Sequence, residues 1–99
     1  MLRLIMTWRI REGKEAELPE FVSGELIKLL VSMNIHPTDA WYAVSGQGVG
    51  VMAGGIVDDM STMERALKSQ EWKTLCEKLR DLAVDFTHKV VKHTGSFQL

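Results

Sequence analysis

The chain predicts an α+β fold of βαββαβ order, with a four-stranded antiparallel sheet carrying its helices on one face. Three observations predict it. Residues at the start alternate with the two-residue period of a strand, and two later stretches carry apolar residues at three- and four-residue spacing. Between those stretches lies a pair of β-rich runs separated by glycines, the pattern of a hairpin. Right-handed crossovers on either side of the hairpin then place both helical layers on the same side of the sheet.

In residues 1–10, Leu2, Leu4, Met6, Trp8 and Ile10 fall on one face, and Arg3, Ile5, Thr7 and Arg9 on the other. That is a strand rather than a signal peptide, since arginines interrupt the apolar run and no small-residue cleavage site follows. Arg11-Glu12-Gly13-Lys14 supplies a turn. The first helix shows a stripe of Leu18, Val22, Leu26, Leu29, Leu30 and Met33, with Glu15, Glu17 and Glu20 at the end where the helix dipole favours carboxylates. Pro19 suits only a first turn, so regular helix starts near Leu18 or kinks there. Asn34 in a left-handed cap, Ile35 folded back and Pro37 beyond it end the helix near Met33.

Residues 40–45 and 49–57, joined through Gly46-Gln47-Gly48, form the hairpin. Gly50, Gly54 and Gly55 lack the pattern of a phosphate loop and predict a bulge or close backbone packing. Ser61-Thr62-Met63-Glu64 has capping-box spacing, and Asp58 and Asp59 favour the same helix start. The adjacent pair does not read as an acid/base site, because consecutive residues leaving a strand point apart. Helix restarts at Ser69-Gln70-Glu71 with the stripe Trp72, Leu75, Cys76, Leu79 and Leu82. Val84, Phe86, Thr87, Val90, Val91 and Thr94 then suit a last strand over residues 85–93. Continued helix is the alternative, since Leu82, Phe86, Lys89 and Val90 also share a helical face. The whole is a ferredoxin-like arrangement, one domain over residues 1–99.

Composition narrows the function classes. With 45% hydrophobic and 25% charged residues the chain is a globular protein, and a net charge of -1 with scattered lysines and arginines gives no field for nucleic acid. No run approaches the ~18 apolar residues of a membrane span. Cys76 is the only cysteine, which excludes an intrachain disulfide and predicts a reducing, cytoplasmic setting with Cys76 as helix packing. With both helical layers on one side, the other sheet face is bare and carries Ile5, Thr7, Arg9 and alternate residues of the valine-rich third strand. An apolar face of that extent predicts association, here as a homodimer.

The segment from Ser69 to Leu79, followed by Val84-Asp85-Phe86, together with Arg11-Glu12-Gly13-Lys14, resembles the dimeric α/β-barrel superfamily, in particular its NIPSNAP-like and antibiotic-biosynthesis-monooxygenase-like members. The resemblance covers the whole chain and implies two protomers packing their sheets face to face around a central barrel. It also implies a range of activities, among them cofactor-independent quinol oxygenation and haem degradation. Haem-degrading members use an Asn on the first strand with a Trp and a His. Here Trp72 and His88 are present, sixteen residues apart, but the first strand has Thr7 and Arg9, and the only Asn is Asn34 in a loop. The resemblance thus points to a cofactor-independent oxygenase or related enzyme on a small aromatic compound, or to a non-catalytic dimer that binds a small aromatic or apolar ligand or serves as an accessory subunit.

Candidate site residues follow from residue type. His88 in the last strand is a titratable group able to move a proton, and Arg9 a planar cation able to hold a carboxylate or phenolate. Each also has a structural reading, as a hydrogen-bonded sheet histidine and as an ion pair at the sheet edge. Trp41, Thr7 and Ile5 are the candidate substrate-binding residues, and Trp8 and Tyr42 supply flat side chains that suit a pocket wall or the core. The site requires His88 to share a face with Arg9, and a one-residue slip of the strand would send it to the helix side. His36 and His93 have no third ligand in view, so no metal site is expected, and no cofactor. No Ser/His/Asp or Cys/His nucleophile pattern can be assembled.

Overall fold

The structure, a computed structural model, describes residues 1–45 and 48–92, without the side chains of residues 39, 41, 43–45, 48 and 49. The turn residues Gly46 and Gln47 and the candidate His93 lie outside the described residues. The elements are β1 (Leu2–Ile10), α1 (Glu17–Phe21), a π turn (Val22–Leu26), α2 (Ile27–Ser32), β2 (His36–Ser45), β3 (Gly48–Val57), α3 (Met60–Leu67), α4 (Gln70–Leu82) and β4 (Ala83–Lys92). The four strands make one antiparallel sheet in the order β2-β3-β1-β4, the ferredoxin-like arrangement. The last segment is strand and not continued helix.

β1 alternates as its sequence requires. Leu4, Met6 and Trp8 are buried, and the intervening Ile5, Thr7 and Arg9 are half-buried. The buried set packs against Leu18, Leu26, Leu30, Met63, Leu75 and Leu79 from the helices. The molecule measures 37 × 34 × 20 Å, and its thinnest dimension matches one sheet plus one layer of helices.

The first helical region keeps its apolar stripe but not its regularity. Pro19 is the third residue of α1, within the first turn where its missing N–H costs nothing, and the π turn follows directly. Ser23 within it donates its hydroxyl to the carbonyl of Pro19 at 3.1 Å. The far end is a Schellman motif: Asn34 has φ 62°, its N–H reaches the Val31 carbonyl, and the Ile35 N–H reaches the Leu30 carbonyl at 2.9 Å. Ile35 is thereby folded into the core at 0% exposure. Gly55 makes room for it, because a Cβ there would stand 2.5 Å from Ile35 Cγ2. β2 starts at His36, earlier than its β-rich core, with irregular pairing between Pro37 and Ala40.

The start of α3 corrects the capping-box expectation. Asp59, in extended conformation, is the N-cap and accepts from the Thr62 N–H at 2.8 Å, which leaves Ser61 inside the helix. A cap serves a donor three positions along the chain, and Asp59 to Thr62 meets that spacing two residues before Ser61 to Glu64. Ser69 caps α4 as its position predicts, accepting from the Trp72 N–H at 3.2 Å. At the other end of α4 the Arg11 guanidinium donates to the carbonyls of Arg80 at 2.8 Å and Ala83 at 3.3 Å, and the Arg11 N–H donates to Leu82. A cation so placed satisfies carbonyls that the helix leaves without partners.

Candidate functional site

Residues directly opposite one another in an antiparallel ladder project to the same face. The register therefore sorts every strand residue. Met6 pairs with Ala53 on β3 and His88 on β4, all on the helix side. Ile5 pairs with Gly54 and Lys89, and Thr7 with Met52 and Thr87, all on the open side. On that open side lies a shallow cavity of about 370 Å³ bordered by Ile5, Thr7, Met52, Thr87, His88 and Lys89. Across its floor the Thr7 and Thr87 hydroxyls are joined by a hydrogen bond of 2.7 Å.

A bulge in β4 sets which residues reach the cavity. Between the pairs Thr7–Thr87 and Arg9–Val84 the single residue Trp8 faces both Asp85 and Phe86. Asp85 takes the left-handed conformation at φ 56°, one that Asp tolerates better than most residues. The extra residue lets Ala83 and Phe86, of opposite parity, both turn toward the core. It also brings the Asp85 carboxylate onto the Arg9 guanidinium in an ion pair. Arg9 is thus in the paired arrangement, with an aspartate of the bulge as its partner, at the end of the open face beyond Thr7.

His88 does not join Arg9. Its ring stands edge-on to Trp72 at a centroid distance of 5.1 Å and stacks on Phe86 at 6.0 Å, both on the helix side. It is also among the residues that line the cavity, between Thr87 and Lys89 in sequence. The expected shared face is therefore corrected: the even-numbered parity of β4 below the bulge matches Met6 and not Arg9. The same geometry brings Trp72 and His88 together across sixteen residues of sequence, while Thr7 and Arg9 lie on the opposite face.

Ile5 and Thr7 do line the cavity. Trp41 pairs with Met52, a cavity residue, on the neighbouring β2, and its side chain lies outside the described residues. Trp8 is core at 2% exposure, with its indole N–H buried and without an acceptor among the described residues, and Tyr42 is half-exposed opposite Val51. Met52, Thr87 and Lys89 were not among the expected site residues. The signal that could have found them is register: given β1 beside β4, every second residue around Thr87 faces Thr7.

Two other concavities are less suited to a ligand. A cleft of about 720 Å³ between α1 and the end of α4 is spanned by the protein's own ion pairs, Lys14–Glu17 at 3.2 Å and Lys78–Glu25 at 2.7 Å, besides the Arg11 cap. An apolar pocket of about 130 Å³ lies under the π turn, beside Ala40 and Ala53. Among the described residues no group of three or more His, Cys, Asp or Glu could hold a metal ion, and no helix is long and apolar enough to cross a membrane. Burial pushes the Cys76 thiol above its ordinary pKa, with Arg80 acting against it.

Solved structures share this arrangement over almost their whole length. An uncharacterized NIPSNAP domain protein from Burkholderia xenovorans superimposes with a TM-score of 0.71 at 19% identity, covering 99% of this chain and 99% of that one. A candidate antibiotic biosynthesis monooxygenase from Deinococcus radiodurans gives 0.70 at 11% identity over 100% and 98%. HapK from Hahella chejuensis gives 0.72 at 9% identity over 100% and 98%. No family model and no curated protein matches the chain. The chain has the ferredoxin-like fold of NIPSNAP and antibiotic-biosynthesis-monooxygenase-like proteins.

Proposed function

We propose that this protein is a homodimer, formed through the open sheet faces as a dimeric α/β barrel, that holds a small aromatic compound in the cavity on that face. The observation that carries the reading is the cavity itself: apolar walls from Ile5 and Met52 with a hydroxyl pair at the floor, on a face that no helix covers. Binding sites for small molecules combine apolar walls with a few convergent polar groups in this way. Ile56 and Val91 flank the cavity and are half-buried in the protomer, so a second sheet laid over the face would remove further apolar area from water. Thr7 and Ile5 contact the compound, Trp41, which pairs with Met52 on β3, is the aromatic residue we assign to its binding, and the Arg9–Asp85 pair closes one end.

Oxygenation of the bound ring, without a cofactor, is the reaction we propose for this site. The likeness to a candidate antibiotic biosynthesis monooxygenase supports it. Arg9, rather than His88, has the parity of the open side, where the ring would meet oxygen. Light scattering at micromolar concentration tests the dimer, which should show about twice the 11.2 kDa chain mass. Oxygen uptake with a panel of quinols and phenols then separates the enzyme from a binding protein. Ligand binding without turnover would leave a non-catalytic binding dimer, and a monomer would remove the barrel.

A further inference from the structure

The charges of the open face do not balance. Arg9 is neutralised by Asp85, and Arg3 is engaged in an interaction of its own. Lys89, opposite Ile5 at the cavity edge, makes no ion pair or hydrogen bond among the described residues. In a lone protomer water solvates its ammonium. A second sheet packed over the face would take that ammonium out of water, and an unpaired charge in such a place is unfavourable unless a counter-charge joins it.

The cavity offers one more donor. Two threonine hydroxyls carry two protons, and the bond between Thr7 and Thr87 occupies one of them. The other is free to point at a ligand. Among the described residues Lys89 is the one lysine or arginine on the cavity wall, and no carboxylate lines it. We infer that the cavity selects a small organic anion, an aryl carboxylate or a phenolate, whose charge is held by Lys89 and the Thr7–Thr87 pair while its ring lies on Ile5 and Met52. This rests on the reading of the open face as a covered ligand cavity and adds the charge of its occupant. For a phenol the consequence is chemical: an ammonium beside the oxygen favours the ionised, more electron-rich ring.

Calorimetric titration of the full-length protein with benzoate and with benzamide, its neutral isostere, tests the inference. Benzoate should bind about tenfold more tightly, the difference a charge-assisted hydrogen bond makes over a neutral one. Lys89→Met should erase that preference and Lys89→Arg should restore it, with light scattering showing that each variant keeps the parent's mass. A parallel titration with 4-nitrophenol, followed by absorbance, reads the phenolate arm: its apparent pKa should fall on binding to the parent protein and not on binding to Lys89→Met. Equal affinity for benzoate and benzamide, or a preference that survives Lys89→Met, overturns the anion inference and leaves the cavity reading standing. If neither probe binds, the cavity reading falls and takes the inference with it.

Discussion

The two faces of the sheet are made by the same strands under different rules. Leu4, Met6 and Trp8 are enclosed by helices, and among the described residues no buried side chain is charged. One residue away, Ile5 pairs with Gly54 and Lys89, Thr7 with Met52 and Thr87, and Arg9 with Gly50 and Val84, on a face that carries hydroxyls, cations and apolar groups together. The first face completes its packing within one protomer. The second mixes polar and apolar groups on a side that no helix of the protomer covers, the surface for which we propose a partner sheet and a ligand.

The comparison breaks first at neighbouring positions of β1. Leu4→Ala leaves a cavity among packed helices and should lower the unfolding free energy by about 2–5 kcal/mol at any protein concentration. Ile5→Ala, one residue along, should lose stability that depends on protein concentration if the proposed dimer forms, because its contacts would then lie between protomers. Urea unfolding at two concentrations a hundredfold apart distinguishes the two cases. An Ile5→Ala loss that ignores concentration would assign Ile5 to the protomer core and end the contrast.

A smaller effect tests how tightly the covered face is filled. Gly55→Val forces a side chain against Ile35 and against the His36 carbonyl, where even a Cβ would stand 3.2 Å from the oxygen. Overpacking of that kind should cost about 1–3 kcal/mol, read as a lower denaturation midpoint with an unchanged slope.

The smallest effect is at a position belonging to neither face. The hydrogen bond from the Thr62 backbone holds the Asp59 carboxyl below its ordinary 3.8. The folded protein therefore binds fewer protons there than the unfolded chain. The cap's contribution is complete above pH 3.8 and is lost as the pH falls through the lower, folded value. Asp59→Asn keeps an acceptor but has no proton to gain, so its stability should fall less steeply on the acid side than the parent's in unfolding measured across that range.

What was legible in the sequence was local. Asn34 followed by Ile35 and Pro37 specifies a helix stop through three residues, and the Schellman motif forms there. Ser69 specifies a cap through one. The alternation in β1 sorts its own faces without reference to any other strand. Reading failed where a residue's role depends on a neighbour far along the chain. Nothing local marks Asp85 as left-handed, because that conformation answers to Arg9 and to the need to turn both Ala83 and Phe86 inward. His88 looked like a site residue by type, and its face was decided by pairing with Met6. Lys89 and Thr87, ordinary residues of an edge strand, gain interest only once β1 lies beside them. The π turn escaped notice because Leu18, Val22 and Leu26 keep their stripe through it.

α4 ends at Leu82 and β4 begins at Ala83, with no loop between them, and Arg11 clasps the join through three carbonyls. Such a junction has no slack. A loop would let the helix fray or shift while the strand stayed in its ladder, but here unwinding the last turn of α4 draws the first residues of β4 out of register with Arg9 and Ile10. Helix end and edge strand should therefore open together as one unit, and amides on both sides of residue 82 should exchange their hydrogens at a common rate.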